Sequence, residues 1–198
     1  MTKNSVFEKL TTAINQPRTI GSTGYEPVFY AVYPPEKTYA MQGVVKAFFR
    51  YLQENGHQSV VFNVSEVVWD ILENSDDWPD ICRAVNENPE LVSDLQPTIN
   101  EIVDGKASAL IQRLRETIQQ AAKSPENNPV VLVTGMEILH GITRPGTIET
   151  RLNGSFVVPT IFFYPGRMEG GAGLSFLGFY PVDSNYRSEH FDFSEALS

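Results

Sequence analysis

The sequence predicts an α/β fold, a three-layer domain with a mostly parallel central sheet, P-loop-like or Rossmann-like but without a Walker A motif, and with a helical insertion. Three observations predict it. Four apolar runs, Val28–Tyr33, Ser59–Val64, Pro129–Thr134 and Thr160–Tyr164, are too continuous for strands with one wet face, so they belong to strands buried on both faces. Stretches with helical spacing separate them, as parallel crossovers require. Three of the runs stop at turn-forming residues, Pro34-Pro35, Gly135 and Pro165-Gly166.

At the amino end, Ser5 and Glu8 have capping-box spacing, and Phe7, Leu10 and Ile14 follow at helical intervals, so residues 6–15 predict an amphipathic helix. Pro17 and the cluster Gly21-Ser22-Thr23-Gly24 end it. After the first strand, Met41, Val44, Val45, Phe48, Phe49 and Leu52 form a stripe that must face the sheet, and Asn55-Gly56 is its C-cap. With the strand over 59–64 this makes a right-handed βαβ unit.

Residues 65–72 predict a helix packed through Val67, Val68 and Ile71, followed by the acidic break Asn74–Asp80. Two or three helices fill 80–123, the clearest starting near Lys106 with Leu110, Leu114 and Ile118 stacked; the insertion spans about 73–128. A short helix over Thr147–Leu152 leads into the central strand, Thr160–Tyr164. A glycine-rich turn (Gly166, Gly170, Gly171, Gly173) then returns the chain into a strand over Leu174–Tyr180, so a C-terminal hairpin is expected over about 157–192 with one antiparallel edge strand. The acidic tail beyond Asp192 is expected to fray.

Composition narrows the function. The chain of 198 residues, 41% hydrophobic and 20% charged, reads as one globular domain over 1–198. A net charge of −9, with 15 Lys and Arg scattered, disfavours independent binding to nucleic acid or to anionic membrane surfaces. The single cysteine, Cys82, excludes an intramolecular disulfide and a multi-cysteine zinc site. Without a signal-peptide core or a run near the ~20 residues of a membrane span, the expectation is a soluble, cytoplasmic protein.

Catalytic and cofactor motifs are sparse. The turn after the first strand, Tyr33–Thr38, carries two prolines in place of the phosphate-cradling G-x-x-x-x-G-K-S/T loop. Gly170–Gly173 joins two strands and so reads as a hairpin turn. His57, His140 and His190 have no zinc-site spacing, and His190, beside Glu189 and Asp192, reads as solvated. Cys82, next to Ile81 and Val85, reads as a buried inert thiol. Asn153-Gly154-Ser155 is no nucleophile elbow, and Asp76, Asp77 and Asp80 fit turn chemistry. No cofactor, metal or catalytic residue is expected.

The carboxyl ends of parallel strands share one edge, where such folds place their working surface. That edge carries Tyr33-Pro34-Pro35-Glu36, Asn63, Thr134-Gly135 and Tyr164-Pro165-Gly166-Arg167. Aromatic, proline, glycine and arginine suit the holding of a partner or a planar ligand. Tyr33 and Tyr164 read equally well as residues that cap the core with their hydroxyls in water.

In order along the chain stand Gly24–Pro27 before the strand that ends Tyr33–Glu36, Thr134-Gly135 followed by Arg144, Phe163–Gly166, Leu174–Gly178, and Asn185-Tyr186-Arg187. These segments together resemble the BrxB family of bacterial BREX phage-defence systems. The family often has a doubled tyrosine where this chain has Asn185-Tyr186, and Ser188-Glu189-His190 is more polar than its pattern. The resemblance implies a small component without its own established catalysis, acting with the alkaline-phosphatase-like PglZ, the methyltransferase PglX and the ATPase BrxC, with DNA reached only indirectly. Partner-binding residues are then expected at Tyr33, Pro34, Tyr164, Pro165, Gly166, Arg167, Asn185, Tyr186 and Arg187, with Gly166 letting a partner's backbone approach. The alternative is a degenerate P-loop-like nucleotide-binding regulatory domain with Thr134, Gly135, Arg144 and Arg167 around a phosphate.

Overall fold

The computed structural model describes residues 3–16, 26–170, 173–183 and 188–197. Its central strand is β4 (Thr160–Glu169), flanked by β3 (Val130–Thr134) and β1 (Val28–Tyr33). Outside these lie β2 (Ser59–Asn63) and β6 (Glu189–Asp192), giving the order β2-β3-β4-β1-β6, with every pairing parallel. The remaining strand, β5 (Gly173–Phe176), pairs antiparallel with the far half of β4. The α/β class and the mostly parallel sheet are those the sequence predicts.

Period-two alternation divides the central strands between two cores. Phe29, Ala31, Tyr33, Ile161 and Phe163 face α1 (Lys3–Asn15) and α2 (Thr38–Glu54), which contribute Phe7, Leu10, Met41, Phe48 and Leu52. Val28, Tyr30, Val32, Phe162 and Tyr164 face the opposite layer. That layer holds α3 (Val64–Glu73), α5 (Val92–Asp104), α6 (Ala109–Ala121), α7 (Pro145–Arg151) and β5. α4 (Trp78–Glu87) packs its half-buried Trp78 against this layer and buries only Ile81. A fully buried Phe or Leu contributes roughly 1.5–3 kcal/mol. The unbroken apolar runs thus show up as strands with both faces covered.

Several local expectations are corrected. β4 does not stop at Pro165-Gly166 but runs to Glu169. Pro165 is tolerated because it sits where β4 leaves β1, its Cα partner there being Tyr33, and takes up β5 from Gly166 onward. β5 ends at Phe176 instead of continuing to Tyr180, because Leu177 (φ 54°) and Gly178 (φ 73°) turn the chain in the left-handed region. The hairpin is therefore β4–β5 alone, and β6 crosses to the far edge beside β1. α1 begins before Ser5, so Ser5 is no cap. The segment beyond Asp192 is anchored: Phe193 and Ala196 are buried, and the Phe193 amide donates to the Val32 carbonyl at 2.8 Å. Cys82 is half-buried. The turn cluster Gly21–Gly24, together with Gly171, lies outside the described residues.

Candidate interaction site

At the carboxyl edge, β1 passes to α2 on one face of the sheet while β4 passes into the β4–β5 hairpin on the other. The crevice between two such strands is a topological switch point. Arg167 spans it, its Nη2 lying 3.6 Å from Glu36 Oε1. Both side chains are more than half exposed, so the pair contributes at most about 1 kcal/mol and serves to fix the guanidinium.

The rings expected at this edge are in the core. Tyr164 is 0% exposed, packed edge-on to Tyr30 at 5.5 Å and tilted on Phe176 at 5.7 Å. Tyr33 is also buried; desolvation first and the Glu137 charge second push its hydroxyl well above the ordinary phenol range, against a hydrogen bond with Thr38. Pro165 and Gly166 are buried, and Pro34 is half-buried. The close approach that Gly166 permits is internal: a Cβ there would overlap the Ser175 carbonyl of β5 and the Tyr164 ring. Tyr164, Pro165 and Gly166 build the hairpin's base, and with Tyr33 they are buried, which corrects their place at the surface. Arg167 alone of the Tyr164–Arg167 segment is exposed. Asn185, Tyr186 and Arg187 lie outside the described residues.

What stands at the surface is the turn 177–180. Phe179 is 65% exposed and stacks on Tyr180 at 4.9 Å. Arg167 borders the turn at Gly178, where an added Cβ would lie 3.1 Å from its Nε. Arg144 borders it on the other side, with Cζ 5.1 Å from the centre of the Tyr180 ring, a cation–π contact. The Tyr180 hydroxyl lies 2.8 Å from His140 Nδ1 and accepts from the Gly141 amide at 3.1 Å, while Ser175 Oγ donates to the Tyr180 carbonyl at 2.8 Å. The turn is thereby held from three sides. Sequence reading placed Phe179 and Tyr180 in a strand and gave His140 no role. The available signal was two adjacent aromatics between Gly178 and Pro181, which a strand would send to opposite faces.

The residues proposed for a phosphate are divided. Thr134 and Gly135 line a cleft of about 740 Å³ beneath α2, but neither Arg144 nor Arg167 does. Glu66, Glu137, Lys46 and Arg50 line the same cleft, which therefore carries charge of both signs.

A polar cluster that the sequence did not reveal lies over β1 and β6. Tyr30 Oη donates to Glu149 Oε2 at 3.0 Å, and Ser188 Oγ lies 3.4 Å from both Glu149 Oε2 and His190 Nε2. Burial lowers the His190 pKa, so its solvated reading is corrected. The hydroxyl sits between carboxylate and imidazole at equal distances. Among the described residues, no group of three or more His, Cys, Asp or Glu is placed to hold a metal ion, and no helix is long and apolar enough to cross a membrane.

Fold and surfaces together define a doubly wound, mostly parallel α/β domain with a hairpin standing out from its central strand. The chain belongs to the BrxB family: the family model described as BREX protein BrxB matches residues 60–191, about two thirds of its length. Membership implies a component of a BREX phage-defence system. The match runs from β2 into β6 and contains the whole hairpin and the turn 177–180. Among curated proteins and among solved structures, none matches.

Proposed function

We propose that the chain is a non-enzymatic adaptor of a BREX assembly in the cytoplasm, acting by protein–protein contact, foremost with PglZ and through the assembly with PglX and BrxC. The observation that carries this reading is the turn 177–180, which holds an exposed Phe179 between Arg167 and Arg144. Aromatic and arginine side chains are those that dominate binding energy at protein interfaces. Met168 and Val182, each more than 40% exposed, lie on or beside the same hairpin. The polar rim is the Arg167–Glu36 pair. DNA contact would come through partners, since the chain's own charge of −9 opposes it.

The test is co-purification of the tagged chain, co-expressed with PglZ, PglX and BrxC, as wild type and as Phe179→Ala and Arg167→Glu. The expected result is a complex with PglZ that both substitutions weaken while the melting temperature holds. A wild-type chain that elutes alone, or variants that retain full yield, would overturn the reading.

A further inference from the structure

The sheet's two edges differ. β6 carries exposed Glu189 and Asp192, and charge of this kind blunts natural edge strands, as proline or a bulge also does. β2, at the other end of the order β2-β3-β4-β1-β6, reads SVVFN and pairs residue for residue with β3, so it has no charge, no proline and no bulge. One side of its backbone has no strand partner among the described residues. The Gln58 carbonyl accepts from the Val130 amide and the Gln58 amide donates to the Asn127 carbonyl, both at 2.9 Å, so Gln58 faces β3. Alternation turns Val60 and Phe62 the same way and leaves the N–H groups of Ser59, Val61 and Asn63 pointing outward, with the Ser59 and Val61 carbonyls beside them. The Val61 side chain is 47% exposed.

Symmetry limits how this edge could meet itself. A two-fold axis pairs two copies of one strand antiparallel, because a parallel pair related by such an axis would set N–H against N–H. With the axis at Val61, the two Val61 residues exchange both main-chain bonds, and each Asn63 amide reaches the other copy's Ser59 carbonyl. Both Val61 side chains then lie side by side on one face, an apolar pair at the axis, each lining its own 740 Å³ cleft under α2.

Charge selects the same arrangement. α2 runs back from the carboxyl edge, which sets Lys46 and Arg50 beside the amino half of β2 and leaves Glu66 and Glu137 at its other end. Lys46 and Arg50 are exposed and enter no ion pair among the described residues; Glu66 is exposed and Glu137 half-buried. The edge is therefore basic at one end and acidic at the other. Antiparallel pairing lays the amino half of one β2 against the carboxyl half of the other, so each copy's Lys46 and Arg50 face the other copy's Glu66 and Glu137. A foreign strand would have to carry both signs in this order, whereas a second copy supplies them by symmetry. The overall charge of −9 acts at longer range, where physiological salt screens it beyond about 8 Å. We propose that β2 pairs with β2 of a second copy across a two-fold axis at Val61, joining the two sheets into one. This surface stands independently of the hairpin turn.

The test is sedimentation equilibrium of the intact chain, which is expected to be dimeric at about 50 μM. Val61→Lys, which sets two ammonium groups side by side at the axis, should weaken association about tenfold or more while the melting temperature holds. Lys46→Glu with Arg50→Glu in one chain, and Glu66→Arg in another, should each dissociate alone, since like charges then face each other. Their equimolar mixture should dimerise again, because every reversed charge meets its opposite. Hydrogen exchange at the Val61 and Asn63 amides should slow in the wild type and in the mixture, but not in the separate variants. If either charge variant melts early, Val61→Lys decides. The proposal is overturned if the wild type stays monomeric to about 100 μM, if Val61→Lys leaves a dimer intact, or if the mixture of folded variants stays monomeric. Protection of the Val61 amide that appears only when another protein of the assembly is added would likewise overturn it, assigning the edge to that protein.

Discussion

Ser65 donates from Oγ to the Gly135 carbonyl at 2.9 Å, fastening the start of α3 to the end of β3. Asn63 caps the same helix by accepting from the Ser65 amide at 3.1 Å. Gly135 adopts φ 69°, and a Cβ there would stand 2.7 Å from Ser65 Oγ and overlap Asn63 Oδ1. The residue expected at a ligand is thus the joint between two elements. Gly135→Ala should lower stability by about 2 kcal/mol or more, combining left-handed strain with a displaced cap. Urea denaturation measures this directly, and an unshifted midpoint would show that the joint yields.

Stability should also depend on pH through His190. Burial depresses its folded pKa below the ordinary 6.5, so the unfolded chain binds the proton more readily than the folded one. The contribution is therefore full above 6.5 and is lost as pH falls through the window beneath it, toward the depressed folded value. Melting temperatures of wild type and His190→Gln should converge as pH drops from neutrality, with the wild type showing the steeper decline. Parallel curves would contradict the depressed pKa of this half-buried imidazole.

Tyr164→Ala and Phe179→Ala should separate stability from binding. Tyr164 is enclosed between Tyr30 and Phe176, so its truncation costs about 3–5 kcal/mol. Phe179 is mostly exposed, and its truncation should cost under about 1 kcal/mol while weakening partner capture. Paired thermal melts and pull-downs read both quantities. Loss of binding without loss of stability in the Tyr164 variant would contradict the burial.

Phe193→Ala should cost about 3–5 kcal/mol despite its place near the chain's end. Its ring packs perpendicular to Phe163 at 5.8 Å and lies 6.1 Å from Phe7. Equilibrium unfolding of the variant provides the check; a loss below about 1 kcal/mol would mean that this segment is peripheral after all.

The parallel strands were legible because burial on both faces leaves an unmistakable mark, as in Val28–Tyr33 and Val130–Thr134. The helices of the insertion were legible through spacing, down to Leu110, Leu114 and Ile118 on one face of α6. The candidate site was less so. Of the three arginines picked from sequence, Arg167 and Arg144 meet at one turn, but through Tyr180 and Gly178, which no local pattern connects, and Arg187 lies outside the described residues. Pro165 looked like a stop because proline usually ends a strand, whereas here β4 changes neighbours at that residue. The Tyr30–Glu149 bond joins residues 119 positions apart, beyond the reach of any local periodicity.

The packing of Phe193 and Ala196 against α1 has a consequence for synthesis on the ribosome. α2 can cover part of α1 early, through Phe48 and Tyr51 on Phe7, but α1 is fully covered only once the segment after β6 has left the exit tunnel, and β1 waits as long for its outer neighbour. Phe7 therefore keeps one face open while the residues between α2 and Phe193 are made. Such a chain completes its fold as a single late event and not piece by piece, with the slow closure that distant contacts impose. Its yield in the cell would then respond to holdase chaperones more than to codon-level pauses within the insertion.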